Sequence, residues 1–222
     1  MFDGLFNLTV IAEMITFIAA ITLLKKQTGE WVLFRLFLFL ILVAEISGWI
    51  LSWKLRIFNN VWIFNILLCI NACFSLWILS TPESSRKHRS GIIKLAFLFV
   101  VMTIISIFIN DGWRSYNSKT EITQDIVLAL LCCHLLYSML RETEYRNLLA
   151  DEYFWLANGI LIFSLGSAVL SVSRPQLDQF QQSSNITLSQ YLNDTLNLFL
   201  YASYIIAFIC RYRNTRSLPS LS

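Results

Sequence analysis

Long apolar runs separated by short polar segments dominate the chain. A helix that spans the hydrocarbon core of a bilayer needs about 20 mostly apolar residues, because the core is roughly 30 Å thick and each residue rises about 1.5 Å. Seven runs meet this requirement, at positions 5–24, 32–51, 61–79, 92–109, 122–140, 154–172 and 188–210. The pattern predicts an all-α, polytopic membrane protein with a seven-helix transmembrane domain at 1–210 and a short tail at 211–222.

The fifth run is the least apolar of the seven where it begins. Gln124 and Asp125 precede its strictly apolar part, which starts at Ile126. Polar side chains at membrane depth usually face the interior of a helix bundle or a water-filled space. We therefore expect this end of the fifth helix to lie at the interface or in a protein-lined cavity.

The distribution of basic residues predicts the orientation, because Lys and Arg near the ends of spans remain in the cytoplasm. One side of the predicted membrane holds twelve of them: Lys25, Lys26, Arg35, Arg86, Lys87, Arg89, Lys94, Arg141, Arg146, Arg211, Arg213 and Arg216. The other side holds five: Lys54, Arg56, Arg114, Lys119 and Arg174. The asymmetry predicts an N-terminus outside and a C-terminus, with its tail, inside.

All three prolines, Pro82, Pro175 and Pro219, fall in predicted loops or in the tail. The helices are therefore expected to be nearly unbroken. Secondary transporters typically bind substrates at discontinuous helices within repeated halves, and neither feature is evident in the sequence. This argues against transport without excluding it.

Composition supports the membrane prediction. Hydrophobic residues make up 56% and charged residues 14% of the chain, against about 45 to 50% and 25% in soluble domains, and the mean hydropathy is +0.61. The formal net charge of +3 is too small to indicate a nucleic-acid surface. The expected partner is the lipid bilayer, and no nucleic acid is expected.

Four polar residues are predicted at one depth near the outer end of the bundle. At 1.5 Å per residue, Glu13 and Glu45 lie roughly 12 and 9 Å deep, while Asn65 and Asn197 lie roughly 7 and 10 Å deep. A carboxylate in hydrocarbon costs at least about 2.5 kcal/mol, so both acids should face the bundle interior. Two acids at one depth, with no basic residue predicted there, cannot comfortably both ionise.

Helical spacing extends this group. Asn193, Asn197 and Tyr201 follow one another at intervals of four, and Trp49 lies four residues after Glu45, so each set shares a helix face. The predicted ligand-binding residues are Glu13, Glu45, Trp49, Asn65, Asn193, Asn197 and Tyr201. The alternative interpretation is structural, because Asn and Tyr side chains commonly form hydrogen bonds between packed membrane helices.

His134 in the fifth helix begins a polar stripe that leads toward the predicted cytoplasmic side. It is a candidate for continuing a proton path inward. A hydrogen-bonded histidine packed between helices is the simpler interpretation.

Several kinds of membrane chemistry lack the residues they require. Two histidines are too few for a multi-histidine zinc cluster, and neither H-E-x-x-H nor G-x-S-x-G occurs. The seventh helix has no lysine for retinal. We therefore expect no enzyme activity, no catalytic residues, no metal and no cofactor.

Three segments carry a resemblance to a known group. Positions 59–66 read NNVWIFNI, 154–163 read FWLANGILIF and 192–197 read LNDTLN. They resemble small, uncharacterised seven-helix integral membrane proteins of Bacteroidetes, which are often encoded near sensor histidine kinases. The resemblance implies a multi-pass protein of the bacterial inner (cytoplasmic) membrane, with a histidine kinase or another membrane protein as partner.

Three functional hypotheses remain open at this point. The first is a non-enzymatic sensor or receptor-like module with an outward-facing polar pocket for an unknown small ligand, signalling through a partner protein. The second is a small transporter or proton-coupled carrier. The third is an accessory or assembly subunit whose polar groups only pack helices together. A cavity that reaches Glu13 and Glu45 from one side would favour the first hypothesis.

Overall fold

The chain forms seven α-helices, and the described part contains no strand. The computed structural model describes residues 8–53, 61–82, 89–109, 116–141, 147–184 and 187–217. The helices are α1 (Leu8–Leu23), α2 (Glu30–Trp53), α3 (Val61–Leu79), α4 (Arg89–Ile109), α5 (Ser118–Arg141), α6 (Glu152–Ser184) and α7 (Leu188–Ser217). The prediction of an all-α, seven-helix fold is confirmed.

The helices have the lengths and the outward faces of a membrane protein. Apolar stretches of α2, α3, α5, α6 and α7 are long enough to cross a bilayer, and α1 and the stretch Ser90–Ile105 are shorter apolar helices. Large apolar side chains such as Phe97, Leu130 and Val169 are strongly exposed on the outside of the bundle. An exposed apolar surface of this kind is typical of a protein surrounded by lipid.

Six of the helices close a ring. Neighbouring pairs are α1 with α2, α2 with α3, α3 with α5, α5 with α6, α6 with α7, and α7 with α1, while α4 packs against α3 and α5. At one end, called the upper end here, α1, α3, α5 and α7 begin and α6 ends. At the opposite, lower end, α1 and α7 end and α2 and α6 begin.

The seam between α6 and α7 is tight because two glycines allow the helices to approach closely. A Cβ atom on Gly159 would lie 2.6 Å from Cβ of Ser203, and one on Gly166 would overlap the side chain of Leu196. The spacing of Gly159 and Gly166 in the α6 sequence predicts close helix packing, and the structure confirms this prediction.

Aromatic rings fill the middle of the ring of helices. Phe34 is fully buried, and its ring lies edge-on to those of Phe74, Tyr204 and Phe208, with centroids 4.9, 5.1 and 5.1 Å away. The ring of Phe37 stacks on Phe74 at 3.9 Å. These five side chains, Phe34, Phe37, Phe74, Tyr204 and Phe208, are called the aromatic layer below.

The lower end is held by hydrogen bonds and one ion pair. Arg211 Nη1 lies 3.0 Å from Glu152 Oε1, and Arg211 Nε donates to Gln27 Oε1 at 3.2 Å. Asn214 Nδ2 donates to the other Glu152 oxygen at 3.0 Å. Asp151 caps the start of α6, because its Oδ1 accepts hydrogen bonds from the backbone N–H groups of residues 153 and 154.

Helices α6 and α7 extend furthest beyond their apolar runs. Helix α6 continues to Ser184, so Pro175 lies inside it and the prediction that every proline falls in a loop is wrong at this position. Membrane helices tolerate proline because neighbouring groups can satisfy the freed backbone carbonyl. Helix α7 continues to Ser217, so the first residues of the predicted tail are helical. Both extensions are polar, and a hydropathy pattern marks the lipid-facing length of a helix rather than its full length.

Candidate ligand-binding cavity

A cavity of about 550 Å³ opens among the helices at the upper end. Its lining comes from α1, α2, α3, α5, α6 and α7, together with Tyr116 just before α5, and none of the described lining residues belongs to α4. Five of the predicted ligand-binding residues line it: Glu13, Glu45, Asn193, Asn197 and Tyr201. The pocket expected from α1, α2, α3 and α7 thus also involves α5 and α6.

Glu13 lies on the α1 wall of this cavity and is only 3% exposed. Its Oε1 atom accepts a hydrogen bond of 2.9 Å from the hydroxyl of buried Tyr201 on α7. Its Oε2 atom is buried and has no hydrogen-bond partner in the part of the chain that the structure describes. A buried polar atom without a partner is costly, so this oxygen is available to a group that enters the cavity.

Glu45 lies on the α2 wall of the same cavity and is half-buried. Glu13 lines the same cavity, so the two carboxyl groups share one enclosed space. Repulsion between two like charges in one cavity is relieved by a shared proton or by a cation.

Asp125 and Gln124, at the start of α5, form the facing wall. Asp125 is 4% exposed and Gln124 is 1% exposed. The Ser167 hydroxyl on α6 forms a hydrogen bond with the Asp125 carboxyl, but Asp125 Oδ2 and Gln124 Nε2 have no partner among the described residues. Together with Glu13 Oε2, the cavity wall therefore contains three buried polar atoms that the described residues leave unsatisfied.

One turn closer to the start of α5 lies Glu121, whose carboxylate is paired at both oxygens. The two carboxylate oxygens of Glu121 accept hydrogen bonds from the Tyr116 hydroxyl at 2.9 Å and the Ser171 hydroxyl at 3.0 Å. The guanidinium of Arg174 lies 5.9 Å from the centre of the Tyr116 ring. Burial, followed by the nearby Glu121 charge, raises the pKa of the Tyr116 phenol, so the phenol stays protonated and acts as the donor.

The α7 wall is fixed to α1 by a direct hydrogen bond. Thr9 Oγ1 donates to Asp194 Oδ1 at 2.8 Å. Asn197 Nδ2 donates to the Asn193 carbonyl one turn earlier in the same helix at 3.0 Å. The amide oxygen of Asn197 can therefore still accept a hydrogen bond from a ligand.

The remaining predicted site residues are Asn65, Trp49 and His134, and of these Asn65 and His134 do not line the cavity. Asn65 is fully buried and its Oδ1 accepts a 3.1 Å hydrogen bond from the backbone N–H of Asn117, so it anchors the segment before α5. Trp49 lies in α2, but its side chain is outside the described residues. His134 is exposed on α5 and does not line the cavity, so the expectation that it extends a proton path inward is not supported by its position.

The sequence reasoning did not assign Asp125, Gln124, Glu121 and Arg174 to the site. The first two were recognised only as a polar start to the fifth helix, although their spacing from Glu121 by three and four residues already places the three on one face. The hydropathy pattern predicts a loop at Arg174, because the apolar run ends two residues earlier. Arg174 instead lies in α6 and lines the same cavity, beside Tyr116 near the start of α5.

The wall of the cavity combines apolar and polar side chains. Within the residues that the structure describes, no group of three or more His, Cys, Asp and Glu side chains is placed to bind a metal. Aromatic side chains, among them Phe64, Phe163 and Tyr204, alternate with the polar groups around the wall. Small-molecule sites commonly combine apolar walls with a few convergent polar groups.

Comparison with models of known protein families, with curated proteins and with solved structures gave no match to this chain. The geometry of the cavity therefore carries the functional argument.

Proposed function

We propose that this protein is a non-enzymatic, receptor-like membrane module that binds a small ligand in the upper-end cavity and signals through a partner protein. The observation that carries the proposal is a polar cavity, with unsatisfied buried groups on Glu13 and Asp125, that ends at the aromatic layer.

The aromatic layer forms the floor of the cavity. Phe37 and Tyr204 both line the cavity and both belong to the layer. No residue of the lower-end network of Gln27, Glu152, Arg211 and Asn214 is among the lining residues. A ligand that enters from the upper end would therefore leave by the same route, as expected of a receptor.

The location and direction are part of the proposal. The asymmetry of basic residues supports an upper end that faces outside the cell. The sequence resemblance adds the bacterial inner membrane, and a sensor histidine kinase or another membrane protein as the signalling partner.

A proton-coupled carrier is the second candidate function. Glu13 and Asp125 favour this function, because an unpaired carboxyl buried at membrane depth is typical of proton-carrying sites. In a carrier the aromatic layer would have to open so that the cavity reaches the lower end.

Thiol labelling tests the proposal. The five natural cysteines are first replaced, and single cysteines are introduced as Asn193→Cys, which lines the cavity, and Thr215→Cys, which is exposed at the lower end. We expect a membrane-impermeant maleimide to label the first variant on intact cells and the second only after permeabilisation. The reverse pattern contradicts the orientation.

Sealed vesicles separate the two candidate functions. A receptor whose cavity opens on one side only protects Asn193→Cys from reagent supplied on the lower-end side. Labelling of this cysteine from both sides would favour the carrier. Thr215→Cys serves as the control that reports which side the reagent reached.

A further inference from the structure

The cavity has an uneven distribution of charge along its depth. Near the start of α5, Glu121 and Arg174 are of opposite sign, and both oxygens of Glu121 accept hydrogen bonds within the chain. Deeper in the cavity lie Glu13, Glu45 and Asp125, and no other described lining residue is basic. The deep part of the cavity therefore carries three carboxyl groups without a cationic counterpart among the described lining residues.

The buried unpaired atoms indicate where a ligand would bind. Among the described residues, no donor pairs with the acceptors Glu13 Oε2 and Asp125 Oδ2, and both side chains are more than nine-tenths buried. Gln124 Nε2 is unpaired beside them, and a side-chain amide can present either its nitrogen or its oxygen after a flip. Two acceptors on opposing helices require a ligand that donates hydrogen bonds, and their charge favours a positive donor.

The remaining wall favours an organic cation over an inorganic ion. Metal ions require several oxygen ligands converging within about 2.6 Å, and the described residues provide no such group. The wall instead contains aromatic rings, including Phe64, Phe163 and Tyr201. Aromatic faces attract ammonium groups and pack against the carbon body of an amine. The volume of about 550 Å³ is also in the range of small-molecule pockets.

We propose that the ligand is an organic amine in its protonated form, which donates hydrogen bonds to Glu13 Oε2 and Asp125 Oδ2 while its carbon body lies against the aromatic wall. This inference rests on the proposed ligand-binding function and names the ligand class for the same cavity.

Two series of probes matched in shape but not in charge test the inference. The aromatic series is 2-phenylethylamine, 2-phenylethanol and phenylacetate, and the aliphatic series is 1,5-diaminopentane, 1,5-pentanediol and glutarate. Binding to the full chain is measured by isothermal titration calorimetry in phosphatidylcholine nanodiscs, with empty nanodiscs as the blank. We expect the amine to bind at least about tenfold more tightly than the matched alcohol in at least one series.

Variants assign the binding to the cavity. Glu13→Gln and Asp125→Asn keep the side-chain shape, so each should weaken amine binding about tenfold or more without changing the affinity for the alcohol. Asp178→Asn removes the same charge from an exposed position on α6 outside the cavity, so it should change amine affinity less than about twofold. Size-exclusion elution of each variant confirms that it remains folded.

The outcomes separate this inference from the proposed function. Tighter binding of the alcohols or the carboxylates would overturn the amine inference while supporting a ligand-binding cavity. Amine binding that survives both cavity variants would also overturn it. Absence of saturable binding in both series would count against the amine and against the receptor-like function together.

Discussion

Both ends of the bundle bury a glutamate, but only one of the two is paired completely within the chain. At the lower end, the oxygens of Glu152 interact with Arg211 and Asn214 at 3.0 Å each. At the upper end, Glu13 is also buried, yet one of its oxygens has no partner among the described residues. The lower-end groups therefore join helices α6 and α7, whereas this upper-end oxygen remains available to a ligand.

The aromatic layer keeps these two ends apart, and its loss should have the largest effect. We expect Phe34→Ala to lower the free energy of unfolding by about 4 kcal/mol, because a fully buried ring with three edge-on neighbours leaves a void. Phe39→Ala is the matched control, since Phe39 is 48% exposed on the lipid-facing side. Denaturant titration in detergent measures the free energy of unfolding of both variants. Equal losses would mean that the aromatic layer contributes no more to stability than a lipid-facing side chain.

The lower-end ion pair should have the next largest effect. Arg211→Ala leaves the Glu152 carboxylate buried without its cation, so we expect a loss of about 3 kcal/mol in the free energy of unfolding. Arg213→Ala removes an exposed charge from the same helix and should change stability by less than about 0.5 kcal/mol. If Arg211→Ala is as mild as its control, the lower end does not fasten the helices together.

Adding a methyl group between α6 and α7 should destabilise the protein more at Gly159, nearer the lower end, than at Gly166, nearer the upper end. We expect Gly159→Ala to cost about 2 kcal/mol, because the new methyl group meets Cβ of Ser203, which cannot move without its backbone. Gly166→Ala meets only the end of the flexible Leu196 side chain and should cost less. Thermal unfolding of the two variants compares them directly, and the opposite order would contradict a more adaptable upper end.

The acids of the cavity should matter least for stability and most for binding. Glu45→Gln and Glu13→Gln keep shape and hydrogen bonding, so each should change the free energy of unfolding by no more than about 1 kcal/mol. The double variant should add little to the loss of ligand response, because groups that act as a unit are not additive.

Unfolding and the ligand response are measured together on all three of these variants. If every variant keeps its full ligand response, Glu13 and Glu45 are packing groups. The accessory-subunit hypothesis would then replace the receptor-like proposal.

The sequence was informative about the site wherever polar residues interrupt an apolar run. Glu13, Glu45, Asn197 and Tyr201 are visible in this way, because each is a costly residue in a segment that must otherwise match lipid. Because each residue of a helix rises by a fixed distance, their positions in the sequence also predict that these residues lie at a similar depth. Asn65 shows the limit of that argument, since it has a suitable depth but faces Asn117 instead of the cavity.

Charged residues near the ends of the runs were harder to interpret. Glu121 and Arg174 lie where hydropathy no longer distinguishes a helix from a loop, and helix α6 continues past Pro175 although its sequence there is polar. Outside the apolar core a helix is stabilised by its neighbours rather than by lipid, and this stabilisation has no signature in a single sequence.

The hydropathy pattern is sufficient to predict the number and type of the helices, because a bilayer requires each span to satisfy its own backbone and to present an apolar surface of fixed length. Which helix faces meet is established by packing in three dimensions. That packing brings α5 and α6 into the cavity, turns His134 outward and leaves Glu13 Oε2 and Asp125 Oδ2 without partners among the described residues. These outcomes depend on the rotation of each helix about its axis, which is set by side-chain packing against its neighbours and not by its hydropathy.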